Sequence, residues 1–429
     1  MKLLPPHTGQ IKYIFCVDNT WTEIQQFSDI NSGPLPLLNN LFINAVDEIS
    51  MDRPNWMTPP STPLFSGAVN LKDFTLRSER FPFLSHFVFP NLTRFELSVT
   101  PAIEPGYRAL EILDFLEASP VLRTVSMKII AKVMRFDDVH LDRVVVLPNA
   151  ETFSLVMDDP GAGYELAAHI SCPSAKKTTL TMEKPEESTL PPIIFPPPTT
   201  WNAIHRQYAT GSIEEVTLYI IISHYYEPFF SCHVAFKSPD TDTQLEFKLV
   251  RNEDEDEDAP GFSFKEFRYM VFSQACKIIR DHPLLSNVKR LCVRFRYDIY
   301  GFDDLRRFSN EFGRLFQSVG SLDELEIYGC DPQTFLTPFF DFPELSNMEH
   351  PIVYPPIKQF GITHHWAQLH REESLAAIVE FAKSRHALGT PFEKMEFCMS
   401  RLPEGIAERL RPWVNELNCH VALCYEEEM

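Results

Sequence analysis

The chain has 429 residues, 44% of them hydrophobic and 12% aromatic, including 35 phenylalanines, which excludes a disordered polar chain. Its formal charge of −20 repels phosphate backbones and anionic lipid headgroups, so nucleic-acid and membrane-surface partners are disfavoured. Nine cysteines without CxxC spacing fit neither a disulfide framework nor a zinc site, and point to thiols in a reducing compartment, the cytoplasm or nucleus.

From the start, Met1-Lys2-Leu3-Leu4 runs into Pro5-Pro6 and lacks the apolar run of a secretory signal. The longest apolar stretch, near Leu218 to Ile222, is too short to cross a bilayer. The Asn91-Leu92-Thr93 sequon is accordingly expected to stay unmodified.

A frame of apolar-x-x-apolar-x-apolar then recurs along the chain. It appears as Ile11/Ile14/Cys16, Leu38/Leu41/Ile43, Leu71/Phe74/Leu76, Leu92/Phe95/Leu97, Leu122/Val125/Met127 and Ala150/Phe153/Leu155. It continues as Ala175/Thr178/Leu180, Ile213/Val216/Leu218, Val288/Leu291/Val293, Leu322/Leu325/Ile327, Ile357/Phe360/Ile362 and Phe392/Met395/Phe397. Three matched positions arise by chance in roughly one window in twelve at this composition, so context must carry the weight. Spacing is one such context: the first seven intervals are 27, 33, 21, 30, 28, 25 and 38 residues, and the last three 34, 35 and 35. Pro90-Asn91-Leu92, Pro148-Asn149-Ala150 and Pro173-Ser174-Ala175 add the same approach, a loop turning into a short strand.

Between frames the period changes to that of a helix. Leu110, Leu113 and Leu116 form a short stripe, and Phe264, Phe267, Val271, Ala275 and Ile278 a longer one. Leu305, Phe308, Phe312, Leu315 and Val319 form a third, which Asp303 and Asp304 are placed to cap. From Glu372 to Gly389, acids in the first turn, Lys383 and Arg385 near the end and a glycine stop bound another helix. Gly161-Ala162-Gly163 lacks the glycine and lysine of a phosphate loop and reads as a turn. Residues 183–200, with Pro185, Pro191, Pro192, Pro196, Pro197 and Pro198, read as a surface loop. The long interval between Ile213 and Val288 reads as an insertion over residues 223–262: a β-hairpin from the alternating runs Cys232 to Phe236 and Leu245 to Leu249, then the carboxylate run Glu253 to Asp258 as a solvated loop.

Strand frames alternating with returning helices predict an α/β fold, a leucine-rich-repeat-like solenoid. A curved parallel sheet would lie on its concave side, and helices and irregular segments on its convex side. A single such solenoid would span residues 1–429.

The rhythm resembles the leucine-rich-repeat region of fungal F-box proteins, on Leu92-Thr93-Arg94-Phe95-Glu96-Leu97, on Leu122 to Met127 after Glu117-Ala118-Ser119-Pro120, and on Leu322-Asp323-Glu324-Leu325-Glu326-Ile327. The resemblance implies a substrate receptor of a cullin-RING ubiquitin ligase, whose repeats hold a target while an N-terminal F-box docks on the Skp1 subunit. No helical F-box precedes the first frame at Ile11, and Leu35-Pro36-Leu37-Leu38 leads into Pro54, Pro59, Pro60 and Pro63 instead of further helices. Skp1 is therefore expected as a partner only if an F-box lies upstream. The alternatives are an F-box-less repeat scaffold or a truncated fragment.

In the frame, the first, fourth and sixth residues point into the core, leaving the third, fifth and seventh to meet solvent and partners. Arg77, Arg94, Glu96, Tyr219, Arg290, Arg294, Glu324, Glu326, Tyr328 and Lys394 are thereby the candidate protein-binding residues, with Tyr13, Phe15 and Phe42 near the start. Exposed Tyr and Arg are the types that dominate interface energetics. Arg290 beside Glu324 also predicts a cross-strand ion pair. No catalytic, cofactor-binding or metal residue is assigned. His364-His365-Trp366 with His370 is the one cluster on which a metal-dependent enzyme could be built, and Cys419 with Cys424 reads as two faces of a terminal strand.

Overall fold

A computed structural model describes residues 10–30, 33–45, 63–78, 84–99, 107–130, 134–136, 139–140, 142–183, 200, 203–204, 213–223, 229–238, 243–252, 264–281, 287–297, 305–329, 336, 355–364, 372–399 and 405–421. The fold is α/β, with a large, mostly parallel sheet of 15 strands. By backbone contacts the chain forms two compact units, one of residues 1–210 with 243–246 and the other of 211–242 with 247–429.

The first unit contains β1 (Tyr13–Asn19), β2 (Asn40–Ala45), β3 (Asp73–Ser78), β4 (Arg94–Val99), β5 (Thr124–Ile129), β6 (Thr152–Met157) and β7 (Lys177–Glu183), each pairing parallel with the next. The second contains β8 (Glu215–Ser223), which pairs antiparallel with β9 (Phe229–Ser238) and parallel with β11 (Arg290–Tyr297). Parallel pairing then runs from β11 through β12 (Glu324–Tyr328), β13 (Gln359–His364) and β14 (Phe392–Met399) to β15 (Val414–Val421). The two alternating runs of the long interval form β9 and β10 (Thr243–Asn252), and β10 opens in the first unit, where the Gln244 N–H donates to the Lys176 carbonyl at 2.9 Å.

The frame explains this order. Every frame position is buried except Ile11, and apart from β14 each frame-bearing strand starts at the third frame residue. Alternation puts the intervening side chains on the other face, as the pattern intermediate-buried-intermediate-buried of β2 and β5 records. Seven of the frames, those opening at Leu38, Leu71, Leu92, Leu122, Ala150, Ala175 and Leu322, are reached through a tight turn. The N–H of the first frame residue donates to the carbonyl three residues earlier, as in Leu92 to Phe89 (3.1 Å), Ala150 to Leu147 (3.2 Å) and Ala175 to Cys172 (3.0 Å). The carbonyl of the second frame residue then receives N–H groups from the next frame, so Lys72 takes both Thr93 (2.8 Å) and Arg94 (2.9 Å), and Lys289 takes both Asp323 and Glu324 (2.8 Å each). In this way backbone groups at these loop ends are satisfied before the strand begins.

Helices return the chain. α1 (Trp21–Ile30), which no apolar stripe announced, starts on a reciprocal cap: Glu23 Oε2 accepts from the Thr20 N–H (3.0 Å) and Thr20 Oγ1 from the Glu23 N–H (3.3 Å). α2 (Ala109–Glu117) buries Leu113 and Leu116 of the predicted stripe together with Ile112 and Phe115. Gly161-Ala162-Gly163 is not a turn but the first turn of α3 (Pro160–Ala168), because Asp159 caps it, its Oδ1 accepting from Gly161 N (2.9 Å) and Ala162 N (3.3 Å), with Pro160 at the first position. α4 (Phe264–Asp281) and α5 (Leu305–Ser318) pack on each other through Phe272 and Phe312, whose centroids are 4.8 Å apart. α6 (Glu372–Ala387) ends at Gly389 with φ of 75°, where the Thr390 N–H reaches the Arg385 carbonyl and the Gly389 N–H that of His386, both at 3.0 Å. α7 (Ile406–Leu410) precedes β15. The Pro-rich stretch 184–199 and the carboxylate run Glu253 to Asp258 lie outside the described residues.

Candidate functional site

In each unit the exposed face of the sheet is a grid set by register. In the first unit one row runs Asn40, Asp73, Arg94, Thr124, Thr152, Lys177, and the next Phe42, Thr75, Glu96, Ser126, Ser154, Thr179. Three sequence-predicted residues meet here: Arg77 Nη2 lies 3.1 Å from Glu96 Oε1 and Arg94 Nη2 lies 3.9 Å from Glu96 Oε2. Arg77 also covers the Phe42 ring at 5.6 Å, and Phe42 meets Phe15 at 6.0 Å. Tyr13, Phe15 and Val17 on β1 remain 59%, 67% and 51% exposed.

The second unit gathers the other seven predicted residues. One row runs Glu215, Arg290, Glu324, Gln359, Lys394, Glu416; the next Thr217, Cys292, Glu326, Gly361, Glu396, Asn418; a third Tyr219, Arg294, Tyr328, Thr363, Cys398, His420. Arg290 sits among three carboxylates. Its Nη1 is 3.5 Å from Glu215 Oε2, its Nη2 3.0 Å from Glu326 Oε2, and its Nε 3.2 Å from Glu324 Oε1, the cross-strand pair that the frame required. The Nε contact is an ion pair without hydrogen-bond alignment. Burial pulls the Arg290 guanidinium down, but Glu324, Glu215 and Glu326 together hold it above its usual value. The pairs are half-exposed, so each contributes at most about 1 kcal/mol; their effect is to fix side-chain positions.

Further along the same rows, Lys394 Nζ holds Glu396 Oε2 at 2.8 Å, and His420 Nε2 lies 3.5 Å from Glu396 Oε1. The Lys394 hydrogen bond, opposed by partial burial, keeps the Glu396 carboxyl below its ordinary value. Arg294 turns its Nε to Cys292 Sγ at 3.2 Å and stands 5.9 Å over the Tyr328 ring. Burial pushes the Cys292 thiol up to about 11, so it stays protonated near neutral pH. Tyr219 packs edge-on against His233 at 5.6 Å.

Between these two groups lies a depression of about 200 Å³. Its floor is Gly361, its sides Glu326 and Glu396, its ends Gln359 and Thr363, and Arg290, Glu324, Lys394 and Cys398 reach its rim. Gln359, Gly361 and Thr363 were missed by the sequence reading. The signal was present: Gly361 is the only glycine at the fifth position of any frame.

Among the described residues no group of three or more His, Cys, Asp or Glu side chains is placed to hold a metal ion. His365, Trp366 and His370 lie outside those residues, and His364 closes β13. Cys419 lies on β15, and Cys424 falls outside the described residues. Among the described residues no helix is long and apolar enough to cross a membrane. What the face offers chemically is paired charge, hydrogen-bonding side chains and one recess. Comparison with known proteins finds no matching family model, no matching curated protein and no matching solved structure.

Proposed function

We propose that this chain is a non-catalytic protein-interaction module, a leucine-rich-repeat-like solenoid that holds a protein partner on the exposed face of its sheet. It would act in the cytoplasm or nucleus as the substrate-recognition part of an F-box-type ubiquitin ligase adaptor, with Skp1 engaged only through an F-box upstream of the repeats. The observation that carries the reading is the grid of the second unit, where Arg290, Glu324, Glu326 and Lys394 line one recess across neighbouring strands and Arg294 and Tyr328 stand in the adjoining row. Arginine and tyrosine supply contact area with directed hydrogen bonds, and fixed charges select among partners.

The test is capture of partner proteins by the full chain, read by mass spectrometry. Tyr328→Ala and Lys394→Glu are expected to lose the partners that the unmodified chain retains, whereas Lys383→Glu, at an exposed position of α6, keeps them. Capture that survives substitutions across both faces would refute a face-binding role. Binding of Skp1 neither by this chain nor by a version extended upstream would remove the ligase assignment and leave an F-box-less scaffold.

A further inference from the structure

The recess over Gly361 repeats, with one side chain missing, an arrangement that the same sheet completes two strands away. Arg290 on β11 is flanked in register by Glu215 on β8 and Glu324 on β12, so a guanidinium fills the space between carboxylates of both neighbouring strands. Gly361 on β13 is flanked in the same manner by Glu326 on β12 and Glu396 on β14. Here no side chain rises between them. Strands in a sheet are about 4.8 Å apart, which sets the two backbone positions about 10 Å apart, a span that two glutamates and a planar guanidinium bridge with donors on opposite edges. A lysine ammonium is a compact point charge without that planar fork.

The charge around the recess is incomplete in the matching sense. Three carboxylates, Glu324, Glu326 and Glu396, face two cations, Arg290 and Lys394. Glu326 Oε2 accepts from Arg290 Nη2, and among the described residues its Oε1 has no hydrogen-bond partner. Glu396 is held in place by Lys394 and His420. Both carboxylates are thus positioned before any partner arrives, which lowers the entropy lost on binding.

We propose that the Gly361 recess receives an arginine side chain of a protein partner, its guanidinium seated between Glu326 and Glu396. This rests on the reading of the face as a protein-binding surface and names the residue type that it selects.

The experiment is selection of peptides from a random displayed library against the full chain, followed by affinity measurement of the enriched synthetic peptides. The expected result is that they share an arginine, and that replacing this residue with citrulline, its neutral isostere, weakens binding at least tenfold. Gly361→Leu, which fills the recess without altering charge, is expected to weaken it equally. A Cβ at Gly361 meets its nearest neighbour, Glu326 Cγ, at 3.4 Å, an ordinary contact, and circular dichroism and thermal melting check that the variant folds. The citrulline arm leaves the protein untouched and so does not depend on that variant. Peptides that lose affinity for Tyr328→Ala or Lys394→Glu but tolerate citrulline and Gly361→Leu would overturn the arginine site while leaving the face reading intact. Peptides indifferent to all of these substitutions would overturn both.

Discussion

Thr178 occupies the fourth frame position, which in every other frame holds Ile, Leu, Phe, Val or Met. It is 1% exposed, and among the described residues its hydroxyl has no hydrogen-bond partner. A buried hydroxyl without a partner costs about 1–3 kcal/mol, and valine has nearly the same shape with a better strand preference. Thr178→Val is therefore expected to raise unfolding stability by about 1 kcal/mol, read as a higher urea midpoint at unchanged slope. An unchanged or lower midpoint would mean that the hydroxyl is satisfied. Arg385 shows the opposite case. Its position near the end of α6 fits a cation placed for the helix dipole, yet it is 5% exposed and donates from Nη1 to the Pro355 carbonyl (3.0 Å) and from Nη2 to that of Ile357 (3.1 Å), while stacking over Phe392 at 5.7 Å. Those carbonyls stand 30 and 28 residues away, so only the tertiary structure could assign the arginine to them.

At the scale of the repeat, strands were legible and their connections were not. The frame marked β1 to β8 and β11 to β14 because core positions are apolar almost without exception, Thr178 being the departure. The cap that starts α1 is carried by Thr20 and Glu23, with Asn19 donating to the same carboxylate, and that of α3 by Asp159 and Pro160, local signals that an apolar stripe does not reveal. Gly361 was visible in the same way, as an absence inside the pattern, but its meaning came only from the register that puts Glu326 and Glu396 beside it. The residue just before the first frame position carries a further signal. Asn70 donates from Nδ2 to the Pro36 carbonyl (2.9 Å), Asn91 to Val69 (2.9 Å) and Asn149 to Pro120 (3.2 Å), and Ser174 donates from Oγ to Pro148 (2.7 Å). Each acceptor lies two residues ahead of the preceding frame, so one side chain ties each loop to the loop before it. Loss of one such bond costs about 1 kcal/mol, and Asn91 and Asn149 share no acceptor. Asn91→Ala with Asn149→Ala is expected to cost the sum, about 2 kcal/mol, in equilibrium unfolding. A double variant as stable as the unmodified chain would show that water replaces these bonds.

Each compact unit has an aromatic core of its own, and that gives the whole molecule a testable pattern of local stability. In the first, Phe115 on α2 meets Phe95 at 4.4 Å and Phe74 at 6.2 Å, and Phe74 in turn meets Phe87 at 5.0 Å and Phe89 at 5.2 Å. In the second, Phe381 on α6 meets Phe360 at 5.4 Å and Phe392 at 5.2 Å. All eight are buried. Truncating a buried phenylalanine costs about 3–5 kcal/mol, and where units have separate cores that cost falls on the openings that expose the altered core. Phe115→Ala is expected to speed amide hydrogen exchange in β3, β4 and β5 while β12, β13 and β14 keep their rates; Phe381→Ala is expected to do the reverse. Backbone hydrogen bonds between neighbouring strands carry the effect outward from the altered core, so within the affected unit the strands nearest the substitution should change most. Exchange by mass spectrometry under mildly destabilising conditions reads both patterns in peptides from the same digest. Equal acceleration of β4 and β13 by either single substitution would show one cooperative body, and the division into units would then have no energetic meaning.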